Sequence, residues 1–195
     1  MIRESGPPQG LNNYEDKVMN KDPLGDVYLS ADQIQARVQK LGKQISAAYR
    51  GKELVLVGIL KGSFVFMADL VRNIEIPHSL DFMAISSYEG IEGSPEAVKI
   101  LKDLDESITG KHVLIVEDII DTGLTLGYLI RHLEARNPEG INVCTLLDRS
   151  IRRIVPLPIN FTGFDIPDVF VVGYGMDYRQ LYRNLTSLHL CDIKA

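Results

Sequence analysis

Residues 113 to 126, VLIVEDIIDTGLTL, combine an apolar strand with an acidic turn and the start of a helix. The four apolar residues before Glu117 are typical of a strand that is covered on both faces. Glu117, Asp118 and Asp121 then place three carboxylates within five residues, with no lysine or arginine among them. An acidic cluster at the tip of a buried strand needs an explanation in a chain whose formal net charge is already −5.

The segments around this stretch alternate between strand and helix patterns. Ser30, with Gln33 at the capping-box position, predicts the start of a helix whose apolar residues recur at helical spacing. Further helices are predicted after Gly62 and over 123–136, and the predicted strands cover 53–60, 79–88, 97–104, 112–117 and 141–147. This alternation predicts an α/β fold, with a central, mostly parallel sheet flanked by helices on both faces.

The two ends of the chain differ from this pattern. Residues 1–25 are rich in Gly, Pro and Asn and show no period, so we expect a flexible N-terminal extension, with a dimer-contact arm as the alternative. The last third predicts a smaller cap with short strands near 160–164 and 169–172. We therefore expect a single domain over 26–195, with a core at about 30–150 and a small hood from about 151–195 plus N-terminal residues.

Composition and charge exclude several classes of protein. The chain has 195 residues, 45% of them hydrophobic, which suits one compact domain. An isoelectric point near 5.4 argues against a general nucleic-acid or acidic-membrane binder. The N-terminus lacks an apolar signal-peptide region and no apolar run reaches the ~18 residues of a membrane span, so we expect a cytoplasmic protein. Cys144 lies in an apolar run and neither it nor Cys191 belongs to a CxxC pair, which predicts a reduced, buried thiol.

The acidic turn also predicts a site for a sugar phosphate. In open parallel sheets, ligands bind beyond the carboxyl ends of the strands. Backbone N–H groups at the helix start, with the hydroxyls of Thr122 and Thr125, form a cradle for an anion, and Gly123 lets the backbone approach it. The neighbouring carboxylates suit sugar hydroxyls or Mg²⁺. Taken singly, each acid also fits a solvated loop or a helix cap, but the combination favours a ligand. Neither a Walker loop nor a dinucleotide glycine motif is present in the chain.

The motif resembles that of a known family. Glu117-Asp118, two aliphatic residues and Asp-Thr-Gly-x-Thr are similar to the phosphoribosyl pyrophosphate (PRPP) motif of the type I phosphoribosyltransferases. With ILKDLD at 100–105, the motif resembles the hypoxanthine-guanine branch in particular, from about Val27 to about Cys191. The resemblance implies a purine-salvage enzyme that moves the 5-phosphoribosyl group of PRPP to N9 of a 6-oxopurine. IMP or GMP and pyrophosphate would be the products, and Mg²⁺ the cofactor.

The resemblance also implies roles for individual residues. Asp121 would be the general base, and the ribose and its phosphate would be bound by Glu117, Asp118, Asp121, Thr122, Gly123, Leu124 and Thr125. Pyrophosphate would be bound by Lys61, Gly62, Arg153 and Arg183, with a non-proline cis peptide at Leu60–Lys61. The purine would contact Arg149, Phe170, Val171 and Asp177, metal would be held by Glu117, Asp118 and Asp177, and a mobile loop would include Ser87 and Tyr88. From the pattern alone, Lys61 also fits a surface turn and Phe170 a core aromatic.

Two features depart from the family pattern. Arg149 stands where the family usually has a lysine that recognises the exocyclic oxygen at C6 of the purine. The loop after Tyr88, EGIEGSPE, carries three glutamates and few of the usual hydroxyls. Transfer to xanthine or another base is therefore an alternative. A non-catalytic, PRPP-sensing regulator that binds RNA is an alternative from another class, although the acidic composition and Asp121 argue against it. The family commonly forms homodimers or homotetramers.

Overall fold

The computed structural model describes residues 23–88 and 97–192. The strands in these ranges are β1 (Leu24–Leu29), β2 (Leu54–Leu60), β3 (His78–Tyr88), β4 (Ala97–Lys102), β5 (His112–Ile120), β6 (Gly140–Asp148), β7 (Phe161–Asp165), β8 (Val171–Val172) and β9 (Leu188–Cys191). The α-helices are α1 (Ala31–Ala48), α2 (Phe64–Val71) and α3 (Leu124–Glu134), and a short 3₁₀ turn spans Ser150–Arg152.

The main sheet has six strands in the order β4-β3-β2-β5-β6-β7. Its strands run parallel except for β4, which pairs antiparallel with β3. The central strand β2 reads LVLVGIL and is buried along nearly its whole length, as expected for a strand covered on both faces. The predicted α/β fold with a largely parallel sheet is confirmed.

Helix α1 begins where the sequence predicts. The side chain of Ser30 accepts a hydrogen bond from the backbone N–H of Gln33, and the Gln33 side chain accepts one from the backbone N–H of Ser30. Both bonds of the capping box are therefore present, which satisfies two N–H groups that a helix start otherwise leaves without partners. Ile34, Val38 and Leu41 are buried on one face of this helix.

The core consists of two layers, one on each face of the main sheet. Because side chains alternate along a strand, Leu54 and Leu56 of β2 pack with helices α1 and α2, whereas Val55 and Val57 pack with α3. Cys144 on β6 belongs to the first layer and is fully buried. Neither Cys144 nor Cys191 forms a disulfide, so the predicted buried thiol is confirmed for Cys144.

A second, small sheet forms the hood, in the order β1-β9-β8, with antiparallel pairing. Two expectations about the chain ends change. The strand predicted near 160–164 does not belong to the cap, because β7 pairs parallel with β6 and extends the main sheet. The ordered chain already includes a strand from Leu24, inside the segment expected as a tail, while residues 1–22 lie outside the described residues.

No helix in the described ranges is long and apolar enough to cross a membrane.

Candidate active site

The acidic stretch lies at the carboxyl end of the central strands. Strand β5 extends three residues beyond the predicted end, because Ile119 and Ile120 pair with Leu147 and Asp148 of β6. Glu117 and Asp118 therefore lie within the strand and not beyond it, which corrects the predicted boundary. They are still past the last residue of β5 that pairs with β2, Val116. Their side chains are half-buried at the upper edge of the sheet.

The phosphate loop, defined here as residues 121–125, runs directly into helix α3. A cavity of about 150 Å³ at this point is lined by Glu117, Ile119, Ile120, Asp121, Thr122, Gly123, Thr125 and Leu126. Gly123 has φ of +82°, a left-handed conformation that only glycine adopts readily. Asp118 and Leu124 do not line this cavity. The loop and one of the two strand acids thus share one concave surface, at the positive end of a helix dipole.

The segment after β6 packs against the phosphate loop and forms hydrogen bonds with it. The backbone N–H groups of Ile154 and Val155 both donate to the carbonyl oxygen of Thr122, at 2.9 and 3.1 Å. A Cβ atom on Gly123 would lie 2.8 Å from a Leu157 methyl carbon and 3.1 Å from the carbonyl oxygen of Val155. The close packing therefore requires glycine at this position, in addition to its backbone angle.

The two strand acids are in an electrostatically unfavourable place. Burial, with a smaller contribution from the charge of Asp118, raises the pKa of Glu117 well above its usual range. Burial also raises the pKa of Asp118 to about 6, although backbone N–H groups and Arg183 lower it, and Asp177 raises it further. Removal of a carboxylate from water has this effect, and for Asp118 it outweighs the attraction of Arg183. Both acids would therefore be stabilised in their charged form by hydroxyl donors or a cation.

The loop between β2 and α2 packs against Asp118. The peptide bond between Leu60 and Lys61 is cis, as the resemblance implies. A Cβ atom on Gly62 would lie 1.8 Å from Oδ2 of Asp118, so only a glycine allows the backbone to approach the carboxylate this closely. A Cβ on Gly175 would lie 2.2 Å from the carbonyl oxygen of Gly62. Three separate segments of the chain, including one from the C-terminal third, thus meet at one point.

Arg183 and Lys61 are joined through a residue that the sequence did not indicate. Arg183 forms an ion pair with Asp177 at 2.5 Å and donates to the carbonyl oxygen of Gly175 at 2.6 Å. The side-chain oxygen of Gln180 accepts hydrogen bonds from Lys61 at 3.3 Å and from Arg183 at 3.4 Å. Two of the cations expected to bind pyrophosphate are therefore held around one neutral acceptor. The left-handed backbone of Gln180, with φ of +69°, gave no signal in the sequence.

The base wall, defined as Val169, Phe170 and Val171, follows β7 in the chain and ends in strand β8 of the small sheet. The Phe170 side chain is 40% exposed and packs edge-on against Tyr178, with ring centroids 6.3 Å apart. An aromatic residue in the core would not be exposed to this extent, so the core interpretation of Phe170 is wrong. Val171 is the first residue of β8, which is one of the two edge strands of its sheet and has one side without a strand partner among the described residues.

Two arginines after β6 are paired with carboxylates. Arg149 is buried, forms an ion pair with Asp121 at 3.0 Å and donates to the carbonyl oxygen of Val169. Arg153 forms an ion pair with Asp148, and its Nη1 is buried without a hydrogen-bond partner among the described residues. The Cδ of Arg153 lies next to Gly123, 3.3 Å from where a Cβ would be. Arg153 therefore lies beside the phosphate loop.

The predicted mobile loop is described only at its edges. The backbone of Ser87 and Tyr88 continues β3 and pairs with Val98 and Ala97 of β4. Residues 89–96, which carry the acidic departure from the family pattern, lie outside the described residues. The roles expected for Ser87 and Tyr88 stay predictions.

The site residues fit a magnesium ion that shares its ligands with a substrate. Among the described residues, no three His, Cys, Asp or Glu side chains come together as a metal-binding group. Asp118 and Asp177 are nevertheless close enough for the charge of Asp177 to raise the pKa of Asp118. Mg²⁺ is usually bound by one or two carboxylates plus substrate phosphates, and not by a cage of protein ligands. The metal role predicted for Glu117, Asp118 and Asp177 stays a prediction.

Comparisons with known proteins agree with this geometry. A family model for the phosphoribosyl transferase domain matches residues 27–179. The hypoxanthine phosphoribosyltransferase of Salmonella typhimurium is 54% identical over 162 residues, covering 82% of this chain and 91% of the relative. The crystal structure of a Staphylococcus aureus hypoxanthine phosphoribosyltransferase has a TM-score of 0.83 and 46% identity, covering 90% of this chain and 95% of that one. A Bacillus anthracis hypoxanthine-guanine phosphoribosyltransferase has a TM-score of 0.83 and 45% identity, covering 87% and 99%.

Proposed function

Because the chain belongs to the hypoxanthine phosphoribosyltransferases of the type I phosphoribosyltransferase family, we propose that it moves the phosphoribosyl group of PRPP to N9 of hypoxanthine or guanine. IMP or GMP and pyrophosphate are the products. The observation that carries this proposal is the contact between Gly62 and the carboxylate of Asp118. It brings the loop that contains Lys61 against the strand acids, so that a ribose and its leaving diphosphate are accommodated next to each other.

The acids and the phosphate loop bind the sugar. The carboxylates of Glu117 and Asp118 accept hydrogen bonds from the ribose hydroxyls, which removes the cost of two half-buried charges side by side. The 5′-phosphate binds the backbone N–H groups of 122–125 at the start of α3, where the helix dipole favours an anion. Hydroxyls of Thr122 and Thr125 add donors to the same oxygens.

The cations bind the leaving group. Lys61, Arg183 and Arg153, with the backbone of Gly62, provide donors for pyrophosphate, and the arginine fork suits its oxygens. Asp118, Asp177 and Glu117 would hold a Mg²⁺ at this place, and that ion would supply further positive charge to the leaving diphosphate. We expect an oxocarbenium-like transition state, in which electrostatic stabilisation of the departing charge is the largest contribution of the protein.

The base binds opposite the acid of the phosphate loop. Phe170 stacks on the purine, the edge of β8 at Val171 provides backbone hydrogen bonds, and Arg149 donates to the exocyclic oxygen at C6. Oδ1 of Asp121 is buried and lies in an ion pair with Nη1 of Arg149 at 3.0 Å, without a well-aligned hydrogen bond from the described residues. A carboxylate oxygen can accept more than one hydrogen bond, so Oδ1 has capacity left for N7–H of the purine. Asp121 thereby acts as the general base, a role typically worth about 10²–10⁴-fold in rate.

Further expectations accompany the proposal. Closure of a loop that includes Ser87 and Tyr88 over the site would exclude water from the reacting carbon.

The buried thiol of Cys144 fits a reducing compartment, which supports a cytoplasmic location. We also propose a homodimer or homotetramer, as the resemblance to the family implies. Light scattering coupled to size exclusion tests the oligomeric state.

A base-panel assay tests the function. The purified chain is mixed with PRPP and Mg²⁺, and hypoxanthine, guanine, xanthine and adenine are offered separately while nucleotide formation is followed by absorbance. We expect turnover with hypoxanthine or guanine, none with adenine, and loss of turnover when EDTA removes Mg²⁺. Turnover restricted to xanthine or another base would refute the assigned acceptor. No turnover with any base, together with no calorimetric heat from PRPP, would refute the phosphoribosyl transfer itself.

A further inference from the structure

The side chain of Arg149 is unusually buried for a charged residue near a ligand site. Only 5% of the residue is exposed, although it follows directly after the end of β6. For comparison, Arg152, three residues later, has half of its side chain exposed in an ion pair with Asp168. A buried guanidinium is stable only when it is paired and hydrogen-bonded. The contacts of Arg149 therefore indicate what its burial achieves.

Two of the three guanidinium nitrogens are bound to groups on opposite sides of the predicted base site. Nη1 lies 3.0 Å from Oδ1 of Asp121 and donates to Oδ2 at 3.3 Å. Nη2 donates to the carbonyl oxygen of Val169, the residue before Phe170. Nε is buried and has no hydrogen-bond partner among the described residues. One planar group thus connects the acid of the phosphate loop to the base wall.

The planarity of the guanidinium makes this connection rigid. Its nitrogens are fixed in one fork, so two bonds to separate elements determine the orientation of the group and of its partners. A backbone bond from the N–H of Arg149 to the carbonyl oxygen of Ile120, at 3.0 Å, fixes the base of the side chain beside the same loop. A lysine has its three N–H donors on a single nitrogen, so it cannot span Asp121 and Val169 with two nitrogens held in one plane.

We propose that Arg149 is a positioning residue that holds the carboxylate of Asp121 at a set distance from the base wall before substrate binds. The inference rests on the proposed function, since it concerns the acid that would take the proton from the purine. This positioning role is additional to the donation toward the base that is proposed above. Without the contact from Arg149, the carboxylate of Asp121 is free to turn toward solvent, since its side chain is 41% exposed.

A double-mutant cycle tests the proposal. We compare kcat, measured with hypoxanthine at saturating PRPP, among four proteins: the unmodified chain, Arg149→Lys, Asp121→Asn and the double variant. Asp121→Asn alone is expected to lower kcat by about 10²–10⁴-fold. Arg149→Lys is expected to lower kcat about tenfold and to leave the KM for PRPP within about twofold. In the Asp121→Asn background the same lysine should change kcat by less than about twofold, because there is no carboxylate left to position.

Arg152→Lys is the matched control. It makes the same replacement three residues later, at an arginine whose ion pair with Asp168 is exposed. The kcat of this variant should stay unchanged. A purely structural role for Arg149 predicts a lower melting temperature without a change in kcat, and this result would overturn the proposal. Multiplicative effects of Arg149→Lys and Asp121→Asn would also overturn it. If Arg149→Lys does not fold by circular dichroism, Arg149→Gln replaces it in the same cycle with the same expected coupling. Absence of turnover in the unmodified chain would instead refute the proposed function.

Discussion

Replacement of Gly62 by alanine tests the arrangement of the loop and the strand acids. The new Cβ would lie 1.8 Å from Oδ2 and 2.4 Å from Cγ of Asp118, while real Cβ contacts essentially never fall under 3.0 Å. Because the atom in the way belongs to a short side chain and not to backbone, the carboxylate can turn away by roughly 1 Å or more. We therefore expect Gly62→Ala to fold and to displace Asp118.

The expected loss of activity in Gly62→Ala follows from the contacts that the Asp118 carboxylate loses when it is displaced. The backbone N–H groups of Ile119 and of Asp118 itself lower the pKa of this carboxyl, so they favour its charged form in the present orientation. A hydrogen bond to a charged group contributes about 1.5–3 kcal/mol. If the ribose must restore this geometry when it binds, kcat/KM for PRPP falls by roughly 10- to 100-fold, since each 1.4 kcal/mol is a factor of ten. The free energy of unfolding should fall by about 1–3 kcal/mol, as for other overpacked sites.

Steady-state kinetics with PRPP varied at saturating hypoxanthine measure this loss, and thermal unfolding measures the change in stability. Gly127→Ala is the control, because its Cβ would lie 3.6 Å from the nearest atom, an ordinary contact. That variant should keep wild-type kinetics and gain about 0.5–1 kcal/mol of stability from better helix propensity. If Gly62→Ala keeps its kcat/KM for PRPP within twofold while folding normally, Asp118 does not bind the ribose, and the proposed arrangement of the sugar is wrong.

Other predictions concern the base wall, the helix cap and the buried thiol. Phe170→Ala should raise the KM for hypoxanthine by roughly 5- to 150-fold, since stacking on an aromatic ring contributes about 1–3 kcal/mol per base; an unchanged KM in initial-rate measurements would exclude stacking on this ring. Ser30→Ala removes the capping box and should cost about 1 kcal/mol, lowering the melting temperature by about 2–4 °C in calorimetry; an unchanged melting temperature would mean that the cap contributes nothing. Burial raises the pKa of the Cys144 thiol, so this cysteine should resist iodoacetamide at pH 8 until the protein is unfolded in guanidinium; alkylation in the native protein, detected by mass spectrometry, would contradict this.

Local patterns in the sequence predicted the parts of the fold that depend on neighbouring residues. The capping box of Ser30 and Gln33 involves bonds across three residues, and both bonds are present. The placement of the acidic residues near the end of β5 and of a glycine at the start of α3 also follows from a short motif, whereas the left-handed backbone of Gly123 was found only in the structure.

Features that depend on distant segments were not predictable in the same way. The place of β7 beside β6 is decided by tertiary packing, since a short apolar strand among prolines fits a cap equally well. The pairing of Arg149 with Asp121 joins residues 28 positions apart, and the contact of Lys61 with Gln180 joins residues 119 positions apart. Side-chain partners of this kind have no periodicity that a single sequence displays.

The strand pairing of the small sheet affects the order in which the parts of the site can form during synthesis. Within that sheet, β8 has β9 as its strand partner, and β9 in turn pairs with β1. The main sheet and the phosphate loop are complete once β7 has left the ribosome, whereas the support for Phe170 requires residues 188–191. A nascent chain, which emerges N-terminus first, therefore completes the half of the site proposed to bind the sugar before the half proposed to bind the purine.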